Sequence, residues 1–330
     1  MGAVCFIIML LSREVVKITT MVNIYYNNAS LQHKLYPLFS EKPRRFEALI
    51  DFFSKEELPL ISSRVATKEE VARAHKQDYI EHVESISKQG FLKALITNTF
   101  SNYVQWYTRV SKGSYHAAFY AAGSVCQAVE DVLNNKCGSA FCLVRPPGHH
   151  AGVEKGEGFC LFNNVAIGAL SAVENNAKKV AIIDFDRHHG NGTEEIIRKY
   201  GRDNILFISS YQDGCKYYHD QPQDKNIISI PIPEHSEFSS VRTLYEEKVV
   251  TALYLFKPDL IMLSAGFDMH VDDPLTNIKL ESKDFFTLTE MIVSAAKELC
   301  EGRIVSCLEG GYDVRALKEC VENHIDALGS

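Results

Sequence analysis

Short apolar runs, rich in valine and isoleucine, alternate along the chain with longer stretches in which apolar residues recur at the helical period. Several runs are apolar throughout, which is typical of strands buried on both faces of a sheet. This alternation predicts an α/β fold in which helices cover a mostly parallel sheet. Eight strands are predicted, over residues 23–26, 60–63, 140–144, 180–184, 205–209, 227–232, 260–264 and 304–308.

The stretches between the strands predict nine helices. The segment Thr67-Lys-Glu-Glu70 has the spacing of a capping box, in which a hydroxyl and a carboxylate bind exposed backbone amides, so a helix is expected to begin there. No internal repeat or low-complexity linker interrupts the pattern, and one domain over residues 21–330 is expected. The helices are predicted over residues 44–55, 68–75, 78–88, 114–133, 165–175, 194–200, 241–255, 283–299 and 314–327.

Residues 1–20 form an N-terminal extension of uncertain role. Its apolar stretch, residues 4–11, is too short to span a membrane and lacks the flanks of a signal peptide. A signal remnant, a packed strand and sequence upstream of a natural start at Met21 are the alternatives. We favour the last, because residues 22–26 have the pattern of a first strand.

Composition and charge narrow the class of protein. The 330 residues include 46% hydrophobic and 23% charged side chains, as in an ordinary soluble enzyme, and the net charge is −7. This charge disfavours direct nucleic-acid binding, whereas a cationic tail or polyamine would meet no repulsion. Nine cysteines form no Cys-x-x-Cys pair, so reduced thiols and an intracellular, cytoplasmic location are expected, with the nucleus as the alternative for a eukaryotic protein or a secreted effector.

Polar side chains follow four of the predicted strands at the point where each strand ends. In an open α/β sheet the ligand site lies beyond the carboxyl ends of the strands, so these segments are expected to form one site. They are Arg-Pro-Pro-Gly-His-His over residues 145–150, Asp-Phe-Asp-Arg-His-His-Gly-Asn-Gly-Thr over 184–193, Ala-Gly-Phe-Asp over 265–268 and Glu-Gly-Gly-Tyr over 309–312.

Two carboxylates and one imidazole in these segments predict a metal site. Asp186 and His188 are two apart in extended chain and point the same way, and Asp268 follows a different strand. Such a set suits a borderline divalent cation and leaves a position open. A solvated acidic loop is the alternative.

The doublet His149-His150 follows a turn that its prolines and glycine make rigid. Imidazoles exchange protons near neutral pH, and two rings can divide that work if their partners differ. Asp184 and Asn191 are the candidate partners, and a carboxylate raises the basicity of a ring more than an amide does. Metal ligands or packed core histidines are the alternatives.

A pair of glycines precedes Tyr312 and lets the backbone turn closely past a ligand, aiming the phenol into the site. A tyrosine hydroxyl can donate to the oxyanion that develops in acyl transfer. A turn tyrosine with a satisfied hydroxyl is the alternative.

These motifs together resemble the histone deacetylase family, which also includes acetylpolyamine amidohydrolases and acetoin-utilisation proteins. Asn191 and the Asp-Pro-Leu segment are more similar to the class II and bacterial branches. The resemblance implies one three-layer α/β/α domain with an eight-stranded, mostly parallel sheet, as in arginases. The matching segments, in family order, are residues 145–151, 158–164, 183–193, 264–275 and 308–312.

The resemblance implies a role for each matching residue in a metal-dependent amidohydrolase. Asp186, His188 and Asp268 would bind zinc, with iron as the alternative ion. His149 and His150 would form the tandem general acid/base pair, with Asp184 and Asn191 as their hydrogen-bond partners, and Tyr312 would donate to the oxyanion. A structural potassium or sodium ion would be held by Asp184, Asp186, His188 and Ser209, and the acyl-lysine tunnel by Gly158, Phe159, Tyr218 and Gly310.

The family resemblance does not by itself distinguish acetylated proteins from acetylpolyamines as the substrate. Tyr103, Trp106 and Tyr107 fall where relatives build a substrate-contacting loop, and they are equally suited to a core or an interface. Leu275 stands where polyamine-specific relatives carry an acidic residue, which favours acetylated proteins or histone tails over acetylpolyamines.

Arg187 departs from the family pattern, because it replaces the usual apolar residue between the two expected metal ligands Asp186 and His188. An arginase-like ureohydrolase and a non-catalytic acetyl-lysine binding module are further alternatives.

Overall fold

Eight strands pair side by side, each parallel to its neighbours, in the order β2-β1-β3-β8-β7-β4-β5-β6. The computed structural model describes residues 22–35, 39–99, 101–105, 108–201, 203–214, 217 and 224–330. The strands are β1 (Asn23–Tyr26), β2 (Leu60–Ser62), β3 (Ser139–Leu143), β4 (Val180–Asp184), β5 (Ile205–Gln212), β6 (Ile227–Ile232), β7 (Leu260–Ala265) and β8 (Ile304–Leu308). The central strands β3, β8, β7 and β4 are buried at every position, as their mostly apolar sequences predict.

Helices cover both faces of the sheet and complete a three-layer architecture. One apolar core lies between the sheet and α2, α3, α5 and α6, and a second lies between the sheet and α1, α8 to α11. Thr67 and Glu70 form the predicted capping box at the start of α2. The helices are α1 (Pro43–Lys55), α2 (Lys68–Ala72), α3 (Gln77–Ser87), α4 (Phe91–Thr99), α5 (Ser114–Leu133), α6 (Asn164–Glu174), α7 (Asn191–Ile196), α8 (Phe238–Leu244), α9 (Thr251–Phe256), α10 (Ser282–Cys300) and α11 (Val314–Leu328).

The sequence-based fold class is confirmed, and the larger differences lie at the end of β5, which extends three residues further than predicted, and in the helices. Helix α4, nine residues long, lies in a stretch for which the sequence predicted no helix, and its Ile96 side chain is 61% exposed. The single helix predicted over residues 241–255 passes through a π-helical segment, Tyr245–Val250, between α8 and α9. The helix predicted over 194–200 starts earlier, at Asn191, and ends in a π-helical segment, Ile197–Gly201.

The cysteines and the helices both bear on the expectations from composition. The seven cysteines in the described part of the chain are free thiols, and all except Cys137 are buried. Among the described helices, none combines the length and the apolar character that crossing a lipid bilayer requires.

The register of the central strands brings their carboxyl ends to one level. Asp184 at the end of β4 lies opposite Ser264 of β7, and Ser264 lies opposite Cys307 of β8. Because β3 pairs with the other side of β8, the loops after β3, β4, β7 and β8 leave the sheet side by side. The polar residues that follow these strands therefore meet at one edge.

Candidate active site at the carboxyl ends of the strands

Asp186, His188 and Asp268 come together at this edge. Their ligand atoms all lie within 4.8 Å of one another, and His188 Nδ1 is 3.0 Å from both Asp186 Oδ1 and Asp268 Oδ2. The backbone fixes both carboxylates, since Gly310 N donates to Asp186 Oδ2 at 2.9 Å and Arg187 N donates to Asp268 Oδ1 at 2.8 Å. Two buried carboxylates beside one imidazole form a site with a net charge that favours a divalent cation.

The surroundings of these three side chains fit a metal ion. Asp268 Oδ2 is buried and accepts no well-directed hydrogen bond among the described residues, although His188 Nδ1 lies 3.0 Å away, so a cation would supply the partner that this oxygen lacks. Burial opposes a charge on His188, yet Asp186 and Asp268 raise the pKa of its ring to about 10, which shows how strongly the site favours positive charge.

Two glycines keep the space around the ligand oxygens open. A Cβ atom at Gly266 would lie 2.2 Å from Asp186 Oδ2, and one at Gly310 would lie 2.5 Å from the same oxygen and 2.7 Å from Asp268 Oδ2. Gly310, which the family resemblance assigns to substrate binding, is placed against the carboxylates. Gly266 was not singled out from the sequence, because only the packing of β7 against β4 brings it near Asp186.

The tandem histidines lie beside the carboxylate cluster with different partners. His149 Nδ1 is 3.0 Å from Asp184 Oδ2, and His150 Nδ1 is 2.6 Å from Asn191 Oδ1. Burial lowers the pKa of both rings, but Asp186 and Asp184 outweigh it at His149 and raise that pKa well above its usual range. At His150 burial and the neighbouring imidazoles act together, so its pKa falls well below the usual range.

Glu309 fixes the turn that carries the histidines, a role that the sequence did not indicate. Its side chain is fully buried, and Oε2 accepts hydrogen bonds from Gly148 N at 2.6 Å and from His149 N at 3.2 Å. Burial raises the pKa of Glu309 to about 7. Its position at the end of β8, next to β3, explains how it reaches the turn after β3.

A second group of potential ligand atoms, from His149, Cys160 and Glu309, also lies within 4.8 Å. Protein groups already occupy it: Glu309 accepts from the backbone at residues 148 and 149, and His149 pairs with Asp184. Burial raises the pKa of the Cys160 thiol well above its usual range, which disfavours the thiolate that binds metals. The Asp186, His188 and Asp268 set is therefore the better metal site.

Tyr312 reaches the site from the loop after β8. Its backbone N–H donates to Asp273 Oδ2 at 2.6 Å, and the Arg45 guanidinium lies 5.1 Å from its ring centre. Arg45 also donates to the carbonyl oxygens of Glu309 and Gly311, at 2.6 and 2.5 Å, and these hydrogen bonds fix the backbone of the loop that carries Tyr312. Burial, with Asp268 and Asp186, raises the pKa of Tyr312, so the hydroxyl remains a donor at neutral pH.

Aromatic rings border the histidines and the tyrosine. The Phe159 ring lies 6.1 Å from that of Tyr312, and the Tyr217 ring lies 3.9 Å from that of His150. Gly158 has φ +54°, and a Cβ there would lie 2.1 Å from His150 Cδ2, so no other residue fits. Tyr218, Trp106 and Tyr107 lie outside the described residues, and Tyr217 was missed because its segment has no strand or helix pattern.

The residues expected around a monovalent cation are neighbours. Ser209 is the register partner of Asp184, and its hydroxyl oxygen lies 3.0 Å from His189 Nδ1. The Arg187 side chain contacts Gln212 and the adjacent histidine: its Nε donates to Gln212 Oε1 at 3.1 Å, and its Nη1 lies 2.9 Å from His188 Nε2.

Known proteins share this arrangement of sequence and fold. The model of the histone deacetylase domain matches residues 39–328. A probable deacetylase of Archaeoglobus fulgidus is 32% identical, with 88% of this chain and 81% of that protein covered. A histone deacetylase-like amidohydrolase of Pseudomonas aeruginosa is 32% identical, with 85% and 73% covered.

A longer relative and a solved structure agree with these matches. Type-2 histone deacetylase 2 of Dictyostelium discoideum is 34% identical over 92% of this chain, which spans only 20% of that protein's length. The crystal structure of the HDA15 HD domain superposes with a TM-score of 0.81 at 27% identity, covering 94% of this chain and 90% of the other.

Proposed function

The chain belongs to the histone deacetylase family, and from that premise we propose that it is a zinc-dependent deacetylase that hydrolyses N-acetyl-lysine in proteins, including histone-type substrates, to free lysine and acetate. Membership indicates hydrolase activity on acetylated substrates; the zinc and the protein substrate are the proposal. The observation that carries it is the juxtaposition of Asp186, His188 and Asp268 with the paired rings of His149 and His150.

Zinc bound by Asp186, His188 and Asp268 would supply a Lewis acid for the acyl carbonyl. The chain's own residues provide the proton transfers. His150 has its Nδ1 directed at Asn191, so its Nε2 is the nitrogen available to accept a proton from the attacking water. Its lowered pKa keeps this ring neutral before the reaction.

The remaining residues stabilise charge and return the proton. Tyr312 keeps its hydroxyl proton and donates a hydrogen bond to the oxyanion of the tetrahedral intermediate. His149, with a raised pKa beside Asp184, stays positively charged and stabilises negative charge nearby. The proton that His150 has taken up then passes to the departing amine. The net negative charge of the protein favours a positively charged substrate.

The test measures acetate release by the zinc-loaded protein from an acetyl-lysine histone peptide and, in parallel, from an N-acetylpolyamine. We expect the peptide to react faster, and Tyr312→Phe to lower kcat by about 100- to 1000-fold, as loss of an oxyanion donor does elsewhere. Tyr26→Phe is the matched control, since Tyr26 lies in β1 outside the site, and it should retain parental kcat.

Two results would contradict the proposal. Turnover within a few-fold of the parent in both Tyr312→Phe and His150→Ala would exclude the mechanism. A faster reaction with the polyamine would exclude the protein substrate while leaving the deacetylase chemistry intact. Reconstitution with zinc or ferrous iron after chelation, followed by the same assay, tests the identity of the metal.

A further inference from the structure

An asparagine behind a catalytic histidine raises a problem of orientation. Its side chain ends in an oxygen that accepts and a nitrogen that donates, and the two ends have nearly the same shape. If Asn191 turned its nitrogen toward His150 Nδ1, the ring would carry its proton on Nε2. In that tautomer the lone pair is on Nδ1, facing the amide, and Nε2 cannot accept a proton from water. An aspartate has no such alternative, because both of its oxygens accept.

A carboxylate on the far side of Asn191 removes the ambiguity. Glu157 Oε1 lies 2.6 Å from Asn191 Nδ2, while Asn191 Oδ1 lies 2.6 Å from His150 Nδ1. An ionised carboxylate only accepts hydrogen bonds, so the amide nitrogen must face it and the amide oxygen must face the ring. The ring nitrogen next to that oxygen then has to carry the proton.

Glu157 is itself held in place. Its other oxygen, Oε2, accepts from Gln105 Nε2 at 2.5 Å and lies 3.1 Å from Lys155 Nζ. The backbone on either side is fixed too, because Gly156 N donates to Tyr103 O and Gln105 N donates to Gly156 O. The Glu157 side chain is only 13% exposed, so solvent has little access to loosen these contacts.

We propose that Glu157 is a positioning residue that fixes the Asn191 amide, and through it the Nδ1–H tautomer of His150. It touches neither the substrate nor the reacting atoms. The kinetic part of this inference rests on the proposed function, whereas the tautomer exists with or without a substrate. Charge-assisted hydrogen bonds such as Asn191 to Glu157 are about twice as strong as neutral ones, which suits a contact that must exclude the flipped amide.

The experiment first removes the carboxylate that accepts from the Asn191 amide, and then exchanges the amide and the carboxylate between positions 191 and 157. In Glu157→Leu we expect kcat on the acetyl-lysine peptide to fall at least about tenfold with KM within about threefold, because proton transfer is impaired and substrate contacts are not. Asn191→Asp alone should also lose activity, since two carboxylates would then face each other. The double variant Asn191→Asp/Glu157→Gln should recover to within about threefold of the parent, since the amide introduced at position 157 can donate to an acceptor that needs no orienting.

The matched control is Glu154→Leu. Glu154 lies three residues earlier in the same loop, is half exposed and pairs with Lys76. A general effect of removing a carboxylate from this loop would appear in both variants. A melting temperature for each variant separates loss of folding from loss of kcat.

A second readout does not require turnover. In protein with ¹⁵N-labelled histidine, the His150 Nδ1–H signal, assigned with His150→Ala, should be present in the parent, lost or exchange-broadened in Glu157→Leu, and restored in the double variant. The inference is overturned if Glu157→Leu keeps both this signal and parental kcat. It is equally overturned if the double variant is no better than Glu157→Leu. A parent that releases no acetate but shows the expected signals would refute the proposed function and leave the role of Glu157 standing.

Discussion

Replacing Glu41 by alanine is expected to destabilise the protein far more than the loss of an exposed charge does. The Glu41 carboxylate is fully buried between two guanidinium groups that are themselves buried, Arg45 and Arg145. Arg145 binds it through Nε and through Nη2, the latter at 2.7 Å, and Arg45 Nη1 lies 3.4 Å away. Burial by itself would raise the pKa of Glu41, but Arg145 lowers it to about 2, so the group is charged at neutral pH.

The magnitude follows from the charge left behind. Removing one partner of a buried ion pair costs about 3–5 kcal/mol, because the remaining charge is neither solvated nor paired. Here the variant leaves two buried cations, so the upper part of that range is expected. For 330 residues the entropy of unfolding is about 0.7 kcal/mol per kelvin, which converts a loss of about 4–5 kcal/mol to a fall of roughly 6–7 °C in Tm.

Differential scanning calorimetry at pH 7 measures this change. Asp51→Ala is the matched control, because Asp51 and Lys55 form a pair with the same four-residue spacing in α1, at 66% and 70% exposure. An exposed pair contributes little, so the control should change Tm by about 1 °C at most. Because Arg45 also holds the carbonyl groups beside Tyr312, Glu41→Ala should lower kcat as well.

A Tm shift in Glu41→Ala no larger than that in Asp51→Ala would contradict the expected cost of burying unpaired guanidinium groups. That result would mean that water or another carboxylate replaces Glu41 at no cost. Glu41→Gln provides a further check, since it keeps hydrogen-bond acceptors but removes the charge. If charge compensation dominates, its Tm should resemble that of the alanine variant rather than that of the parent.

Variants at the proposed metal site, beside the His150 ring and in the core give three further expected outcomes. Asp268→Asn should weaken zinc binding at least about tenfold, measured by equilibrium dialysis, while the exposed control Asp272→Asn should leave it unchanged. Gly158→Ala should displace the ring of His150 and lower kcat by about 100-fold, and parental kcat would contradict the contact described. Burial lowers the pKa of His324 to about 3, so the neutral ring contributes stability that is present above pH 6.5 and is lost as the pH falls. Between pH 7 and pH 5 the free energy of unfolding, measured by urea titration, should therefore drop by about 2 kcal/mol more in the parent than in His324→Gln.

The pattern of apolar residues was enough to predict the fold class and most of the strands. Apolar runs of four to six residues could be identified because strands buried on both faces need apolar side chains at every position. β4, β6 and β8 match their predicted bounds, and β5 extends three residues further, to Gln212. The motifs at the strand ends also indicated the family, because five of them occur together and in the family's order along the chain.

Tertiary structure alone decided how the site is supported. Glu309 reaches the histidine turn only because β8 lies next to β3, although the two strands are far apart along the chain. Glu41 meets Arg145 across more than 100 residues, and Glu157 meets Asn191 across 34. Local patterns record which face of a strand or helix is buried, and they contain no information about which distant polar group completes a buried hydrogen bond. The sequence therefore indicated which polar side chains follow the strands, and the packing of the strands decided which neighbouring groups orient them.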